Sequence, residues 1–191
     1  MDGRVKTLHP RIFAGLLCRF DREDDMQSLA EHDISTFELI VVNLYPFQQT
    51  IAREGVTQAE AIEQIDIGGP SLVRAAAKNH KFVNIVTDKC QYDRVLSEIK
   101  DSGTTSLETR FALASDAFAM TADYDAAISD YFISQSGTAE SSVESSDDAF
   151  ADTISVELKR SAVLRYGENP HQKAAVYEQL GISGPSLVRA K

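Results

Sequence analysis

Leu39-Ile40-Val41-Val42-Asn43-Leu44-Tyr45 is the stretch that decides the fold. It is apolar at almost every position and does not alternate. A strand covered on one face alternates with a period of two. One covered on both faces reads as a continuous apolar run, as in a parallel α/β sheet. The run predicts a strand with both faces covered, in a mainly parallel sheet with flanking helices. Pro46 ends it, having no N–H for a ladder. Phe82-Val83-Asn84-Ile85-Val86, between Lys81 and Asp88, predicts a second strand.

Helix signals surround these strands. Thr57 with Glu60 at the third position after it is a capping-box pattern, predicting a helix to about Ile65. Gly68-Gly69-Pro70-Ser71 opens another, from Leu72 to about Asn79. Asp88 caps a helix carrying Tyr92, Val95, Leu96 and Ile99. Ser106 opens a long helix in which Leu107, Phe111, Ala114 and Phe118 recur at helical spacing. Leu113, Ala117, Met120, Tyr124, Ala127 and Tyr131 form an adjacent stripe, so its apolar face reads as wide.

Composition shifts after Phe132. Residues 134–152 hold five acidic residues, six serines and no Lys or Arg. The expected organisation is an α/β domain over 1–133, an acidic Ser-rich linker over 134–152 and the start of a second α/β domain over 153–191. In that last piece Thr153–Lys159 alternates like a strand and Ala174–Tyr177 reads as another. Its length is too short for a stable core of its own. Gly69-Pro-Ser-Leu-Val-Arg-Ala75 recurs as Gly184-Pro-Ser-Leu-Val-Arg-Ala190. A single match does not make a repeat architecture, and both copies read as Gly-Pro helix starts. Only two good strands precede the linker, and a two-stranded parallel sheet is not stable by itself. Either a partner supplies strands or part of the domain is absent. The abrupt opening into Met1-Asp-Gly-Arg-Val-Lys6 favours absence, so the domain is expected to be incomplete at its N-terminus.

The composition of the 191 residues excludes several classes. With 43% hydrophobic and 25% charged residues the chain has enough apolar material for a core. No apolar run approaches a membrane span, and no signal-peptide pattern opens the chain. A net charge of −10 argues against broad contact with nucleic acid, though a few local cations can still hold a small anion. Cys18 and Cys90 sit in no CxxC or Cys/His cluster, which predicts neither a disulfide framework nor a zinc site and suits a reducing compartment.

Reactive side chains gather among small or turn-forming residues at four places. Arg4, Lys6 and Thr7 can jointly hold phosphate or a developing oxyanion, or form a solvated basic terminus. His9, before Pro10, reads as structural. Asn43 and Tyr45 lie at the carboxyl end of the first strand, where ligands gather in open α/β sheets. An Asn in an apolar run needs a partner or a ligand, whereas a strand-end Tyr often only packs. Asp66-Ile67-Gly68-Gly69 precedes a helix start, where two glycines admit close approach and free N–H groups attract anions. Asp66 can equally be a cap. Lys78, near the helix end, suits the dipole there without any further role.

Read together, MDGRVKTLHP, VVNLYPF, IDIGGPSLVRAAAKNH and LRYGENPHQ, in that order, resemble the bifunctional purine-biosynthesis family that joins AICAR transformylase to IMP cyclohydrolase. The resemblance spans essentially the whole chain. It implies a methylglyoxal-synthase-like cyclohydrolase domain, of which the first βα units and their phosphate-binding loops precede MDGRVKTLHP. It also implies a transformylase domain beginning near LRYGENPHQ. By resemblance Lys6, Tyr45, Asp66 and Lys78 are catalytic. Arg4, Thr7, Asn43, Leu44, Ile67, Gly68 and Gly69 contact the cyclohydrolase substrate, and Arg165 and Tyr166 contact the AICAR nucleotide. Val42 stands where some members carry Cys. The implied reaction is closure of formyl-AICAR to IMP with loss of water, without metal or organic cofactor. The family also formylates AICAR from 10-formyltetrahydrofolate, but its transformylase Lys-His motif has no counterpart before Lys191. The resemblance further implies a cytoplasmic homodimer with nucleotide partners (formyl-AICAR, IMP, AICAR), no nucleic acid and no membrane. This chain alone is expected to show little or no activity. The alternative is a non-catalytic methylglyoxal-synthase-like module that binds a phosphorylated effector.

Overall fold

The computed structural model describes residues 6–135, 156 and 158–179. They fall into two compact units, one up to residue 142 and one from residue 143. Arg4, most of the expected linker (136–152) and the second Gly-Pro-Ser-Leu-Val-Arg-Ala copy lie outside the described residues.

The first unit opens with α1 (Pro10–Leu17). His9 caps it, its Nδ1 accepting from the Arg11 N–H at 3.2 Å, and Pro10 stands where no helical N–H acceptor is needed. His9 is thus the structural residue expected. α2 (Glu23–Glu31) carries Glu23, Asp24 and Asp25 in its first turn, against the positive end of its dipole.

β1 (Leu39–Val41) and β2 (Asn84–Val86) pair in parallel, Leu39 opposite Asn84 and Val41 opposite Val86. The Val42 N–H adds one more bond, to the Val86 carbonyl at 3.0 Å. Three helices, α3 (Phe47–Ile51), α4 (Gln58–Glu63) and α5 (Gly68–Lys78), fill the connection that parallel pairing requires. The α/β class is as expected, although both strands are shorter than their apolar runs. β2 is buried at every position. β1 is not: Leu39 is 43% exposed and Val41 51%. The expectation of cover on both faces therefore fails for β1. Its one strand neighbour among the described residues is β2, and Leu39 and Val41, two residues apart, share a face that meets water. Asn43 is exposed too, so water can serve its amide and the strand demands no other partner for it.

Asp88 caps a 3-10 turn (Lys89–Gln91), its Oδ1 accepting from the Cys90 N–H at 2.7 Å, and the chain runs on into α6 (Tyr92–Ser102). Gly103, at φ 75°, ends α6 in the left-handed conformation that glycine adopts without strain. Ser106 caps α7 (Leu107–Gln135) by accepting from the Thr109 N–H at 3.1 Å. Glu98 ties the two helices together. Its carboxylate accepts from the Thr109 hydroxyl at 2.5 Å and the Ser106 N–H at 2.8 Å, and the Arg94 guanidinium reaches the same Thr109 oxygen at 2.7 Å.

The core forms where α5 and α7 pack on each other and on β2, and it centres on Val73, Ala76, Val83, Ile85, Leu113 and Ala117. Burial of these side chains is the main driving term for this unit. Asn79, just past α5, is buried and donates to the Leu16 and Cys18 carbonyls at 2.9 and 2.8 Å, which moors the end of α1. The wide apolar face expected for α7 divides in two. Leu113, Ala117 and Tyr124 of the adjacent stripe are buried, whereas Leu107, Phe111 and Phe118 of the Leu107–Phe118 stripe are exposed and of that stripe Ala114 alone joins the core.

The second unit is an antiparallel pair, β3 (Leu158–Leu164) and β4 (Ala174–Gln179), with a register irregularity between Arg160 and Ala162. β4 starts where expected. β3, as described, takes in Leu158 and Lys159 of the expected Thr153–Lys159 run, and residues 153–155 and 157 of that run lie outside the described residues. Every β3 residue is exposed, as two strands alone cannot make a core.

Candidate functional site

The carboxyl end of β1 turns directly into Asn43-Leu44-Tyr45, and the loop before α5 brings Asp66 to meet it. The Tyr45 N–H donates to Asp66 Oδ2 at 3.4 Å, and the Gly69 N–H donates to Asp66 Oδ1 at 2.9 Å. Asp66 thus caps the first turn of α5, as one of its two readings had it. Its second oxygen takes the long contact from Tyr45 N, and Asp66 as a whole is half-buried. The backbone of Asp66 is fixed separately: its N–H donates to the Tyr124 hydroxyl at 2.9 Å, and that hydroxyl donates to the Gln64 carbonyl at 2.9 Å.

Lys6 also reaches Tyr45. Its Nζ sits 5.0 Å from the centroid of the half-exposed Tyr45 ring, within cation–π range. Lys6 also lines a cavity of about 310 Å³ with Ile62, Glu63, Ile65 and Ile67. Thr7 follows on the surface, with its main chain against Gly68. A methyl group added at Gly68 would lie 3.4 Å from Thr7 N, an ordinary contact. One added at Gly69 would lie 2.5 Å from Asp66 Oδ2 and 2.7 Å from Leu44 Cδ2. The second glycine therefore leaves room for the carboxylate itself. A ligand is not needed to account for it.

Lys6, Thr7, Leu44, Tyr45, Asp66, Ile67, Gly68 and Gly69 thus gather at one end of the sheet, with Asn43 beside them on the loop. The arrangement offers an ammonium donor, a phenol and a carboxylate around the dipole-positive start of α5. Lys78 is not gathered with them along the helix. It ends α5, roughly 15 Å of helix rise from Gly68, and is exposed. Arg165 and Tyr166 follow β3 in the second unit, where both are exposed. A larger cleft of about 640 Å³ lies by α3 and the end of α7, lined by Gln48, Ile51, Tyr131 and others. It contains none of the side chains singled out for chemistry. Sequence reasoning took Tyr124 only as part of a packing stripe. Burial raises its phenol above the ordinary tyrosine value, and the Asp66 backbone bond partly offsets this. A tyrosine in an apolar helical stripe gives no sign of which backbone its hydroxyl will reach.

Among the described residues no group of three His, Cys, Asp or Glu side chains could hold a metal ion, and no helix is long and apolar enough to cross a membrane. Two family descriptions match the chain. Residues 1–71 match an MGS-like domain, and residues 76–191 match the AICARFT/IMPCHase bienzyme. A bifunctional purine biosynthesis protein PurH from Rhodopirellula baltica is 52% identical over 191 residues, all of this chain and 35% of the relative. One from Listeria monocytogenes is 49% identical over the same 191 residues, 36% of its own length. The chain thus spans about a third of the length of the curated relatives it matches. A crystal structure of ForH superposes with a TM-score of 0.61 at 34% identity, covering 69% of this chain and 68% of that one.

Proposed function

Because the chain belongs to the AICARFT/IMPCHase bienzyme family of purine biosynthesis, we propose that its first unit carries the ring closure of formyl-AICAR to IMP. In that step the carboxamide nitrogen attacks the formyl carbon of the same molecule, a carbon–nitrogen bond forms, and the formyl oxygen leaves as water. The reaction is intramolecular. The enzyme has chiefly to hold the attack geometry and stabilise the oxyanion of the tetrahedral intermediate. Lys6 would donate to that oxygen. Tyr45 and Asp66 would move protons or hold the amide in its reactive form; the family resemblance alone would add Lys78 to them, since it stands at the opposite end of α5 from Gly68. Arg4, Thr7, Asn43, Leu44 and Ile67, with Gly68 and Gly69, would contact the nucleotide. No metal or organic cofactor enters this step. 10-Formyltetrahydrofolate would serve only the family's formyl transfer, to which this chain would contribute Arg165 and Tyr166 at the AICAR nucleotide. We take the acting form to be a cytoplasmic homodimer of the relatives' length, and the units to be those expected, 1–133 and 153–191 joined by 134–152, with α7 carrying the first through Gln135.

The observation that carries this reading is the placement of the Lys6 ammonium beside the Tyr45 ring, with Tyr45 N on the Asp66 carboxylate. The 191 residues alone are expected to give little or no turnover, since β1 keeps Leu39 and Val41 in water. The test therefore sets this chain in place of the aligned third of the Rhodopirellula baltica relative and follows purine absorbance from synthetic formyl-AICAR. Turnover near that of the parent relative is expected. Lys6→Ala should lower kcat roughly 100-fold or more, the range for losing an oxyanion donor, with a smaller change in KM. A variant that keeps kcat and loses only affinity would reassign Lys6 to phosphate binding. IMP binding without any turnover would favour a non-catalytic effector module instead.

A further inference from the structure

We propose that Tyr124 is a positioning residue for Asp66, a clamp from α7 that sets where the carboxylate stands. Its catalytic consequence rests on the ring-closure reading above; the clamp itself does not. Tyr124 is buried to 8% exposure and comes from a different element, 58 residues further along the chain. Its one hydroxyl serves both ends of a short loop, accepting from the Asp66 N–H and donating to the Gln64 carbonyl, each at 2.9 Å. Gln64 is the residue that ends α4, and Asp66 lies two residues before α5. The hydroxyl therefore holds the turn between two helices. Without it, the Asp66 N–H and the Gln64 carbonyl would lose a partner in a partly buried place, which favours movement of the loop.

The Tyr124 ring is anchored independently of its hydroxyl. The Tyr124 ring packs edge-on to the fully buried Phe47, with centroids 6.2 Å apart, and Phe47 also meets Tyr131 at 5.7 Å. The ring is held by packing and the hydroxyl by the loop, so the two roles separate chemically. The Asp66 side chain depends on its backbone in turn. Oδ1 takes the Gly69 N–H and Oδ2 takes the Tyr45 N–H, and a backbone shift of about 1 Å would break the longer of these bonds. A displacement of that size at a reacting group can cost about 100-fold in rate.

Tyr124→Phe keeps the ring and removes the hydroxyl, whereas Tyr124→Leu removes both. In the full 191-residue chain, amide exchange followed by NMR should show Tyr124→Phe speeding exchange at Asp66 at least tenfold. The Gly69 and Tyr45 amides should follow, while the core amides of β2 hold. Tyr124→Leu should in addition lower the melting temperature clearly below that of Tyr124→Phe. Unchanged exchange at Asp66 in Tyr124→Phe overturns the clamp. In the grafted relative, Tyr124→Phe should lower kcat roughly tenfold with KM within about twofold. An unchanged kcat alongside a loosened Asp66 amide overturns the positioning role. Absence of turnover in the unmutated graft would instead remove the ring-closure reading and leave the exchange result to decide the clamp.

Discussion

Gly69 shows how a residue chosen for absence works. The space its missing side chain leaves is filled by Asp66 Oδ2 and Leu44 Cδ2, so Gly69→Ala must displace both. Leu44 is half-buried and lines a cleft into which its side chain can shift, whereas the carboxylate is the group whose position matters. We expect Gly69→Ala to lower the melting temperature by several degrees and to reduce ring closure in the grafted enzyme at least tenfold. Gly68→Ala, whose methyl would meet Thr7 N at an ordinary 3.4 Å, reduces the freedom of the unfolded chain and should leave the melting temperature equal or higher. Equal behaviour of the two alanine variants would contradict this account. The Gly-Gly pair was legible as a place of close approach. That the approaching group is the protein's own Asp66 was not, because the carboxylate turns back onto the helix it precedes. Asn43 misled in the opposite sense. Its strand was read as covered, so its amide seemed to require a partner that solvent supplies.

At the scale of elements, helices with a chemical start signal could be read from the sequence. Thr57 with Glu60 and Ser106 behave as capping residues should, and Asp88 does so through an intervening 3-10 turn. α1, α2 and α3 escaped notice for physical reasons. The start of α1 lies in the His9-Pro10 pair that also closes the basic motif. Arg22 and Pro46, which precede α2 and α3, make no side-chain cap bond. The α6–α7 junction carries a pH signature. Glu98 is held below its ordinary value first by the Thr109 hydroxyl, then by the Ser106 N–H, with a smaller contribution from Arg94. A carboxylate depressed in the folded state stabilises fully above its unfolded value of about 4.3, and that stabilisation is lost as pH falls through the folded value. Glu98→Gln should therefore melt at a lower temperature than the parent at pH 7. The gap should close as pH falls below about 4. A gap that stays constant down to pH 2 would show that Glu98 acts by shape alone.

For the whole molecule, the apolar run at Leu39–Tyr45 and the buried β2 were enough to reach a parallel α/β class. They did not reveal that β1 would keep two of its three strand residues in water, because cover depends on neighbours that a local pattern cannot count. That exposure has a consequence for how the protein behaves in a test tube. The outer side of β1 presents unpaired N–H and C=O groups beside Leu39 and Val41 among the described residues. An open apolar edge is a template onto which another extended segment can pair. Solutions of the 191-residue chain should therefore cloud with a rate that climbs steeply with concentration. Val41→Lys, which places a charge on the exposed rim and leaves the buried Ile85 and Val86 untouched, should delay that turbidity several-fold at equal melting temperature. If light scattering grows as fast in Val41→Lys as in the parent, growth starts elsewhere on the surface. Should the delay be found, the strand that organises the fold is also the one that limits its shelf life.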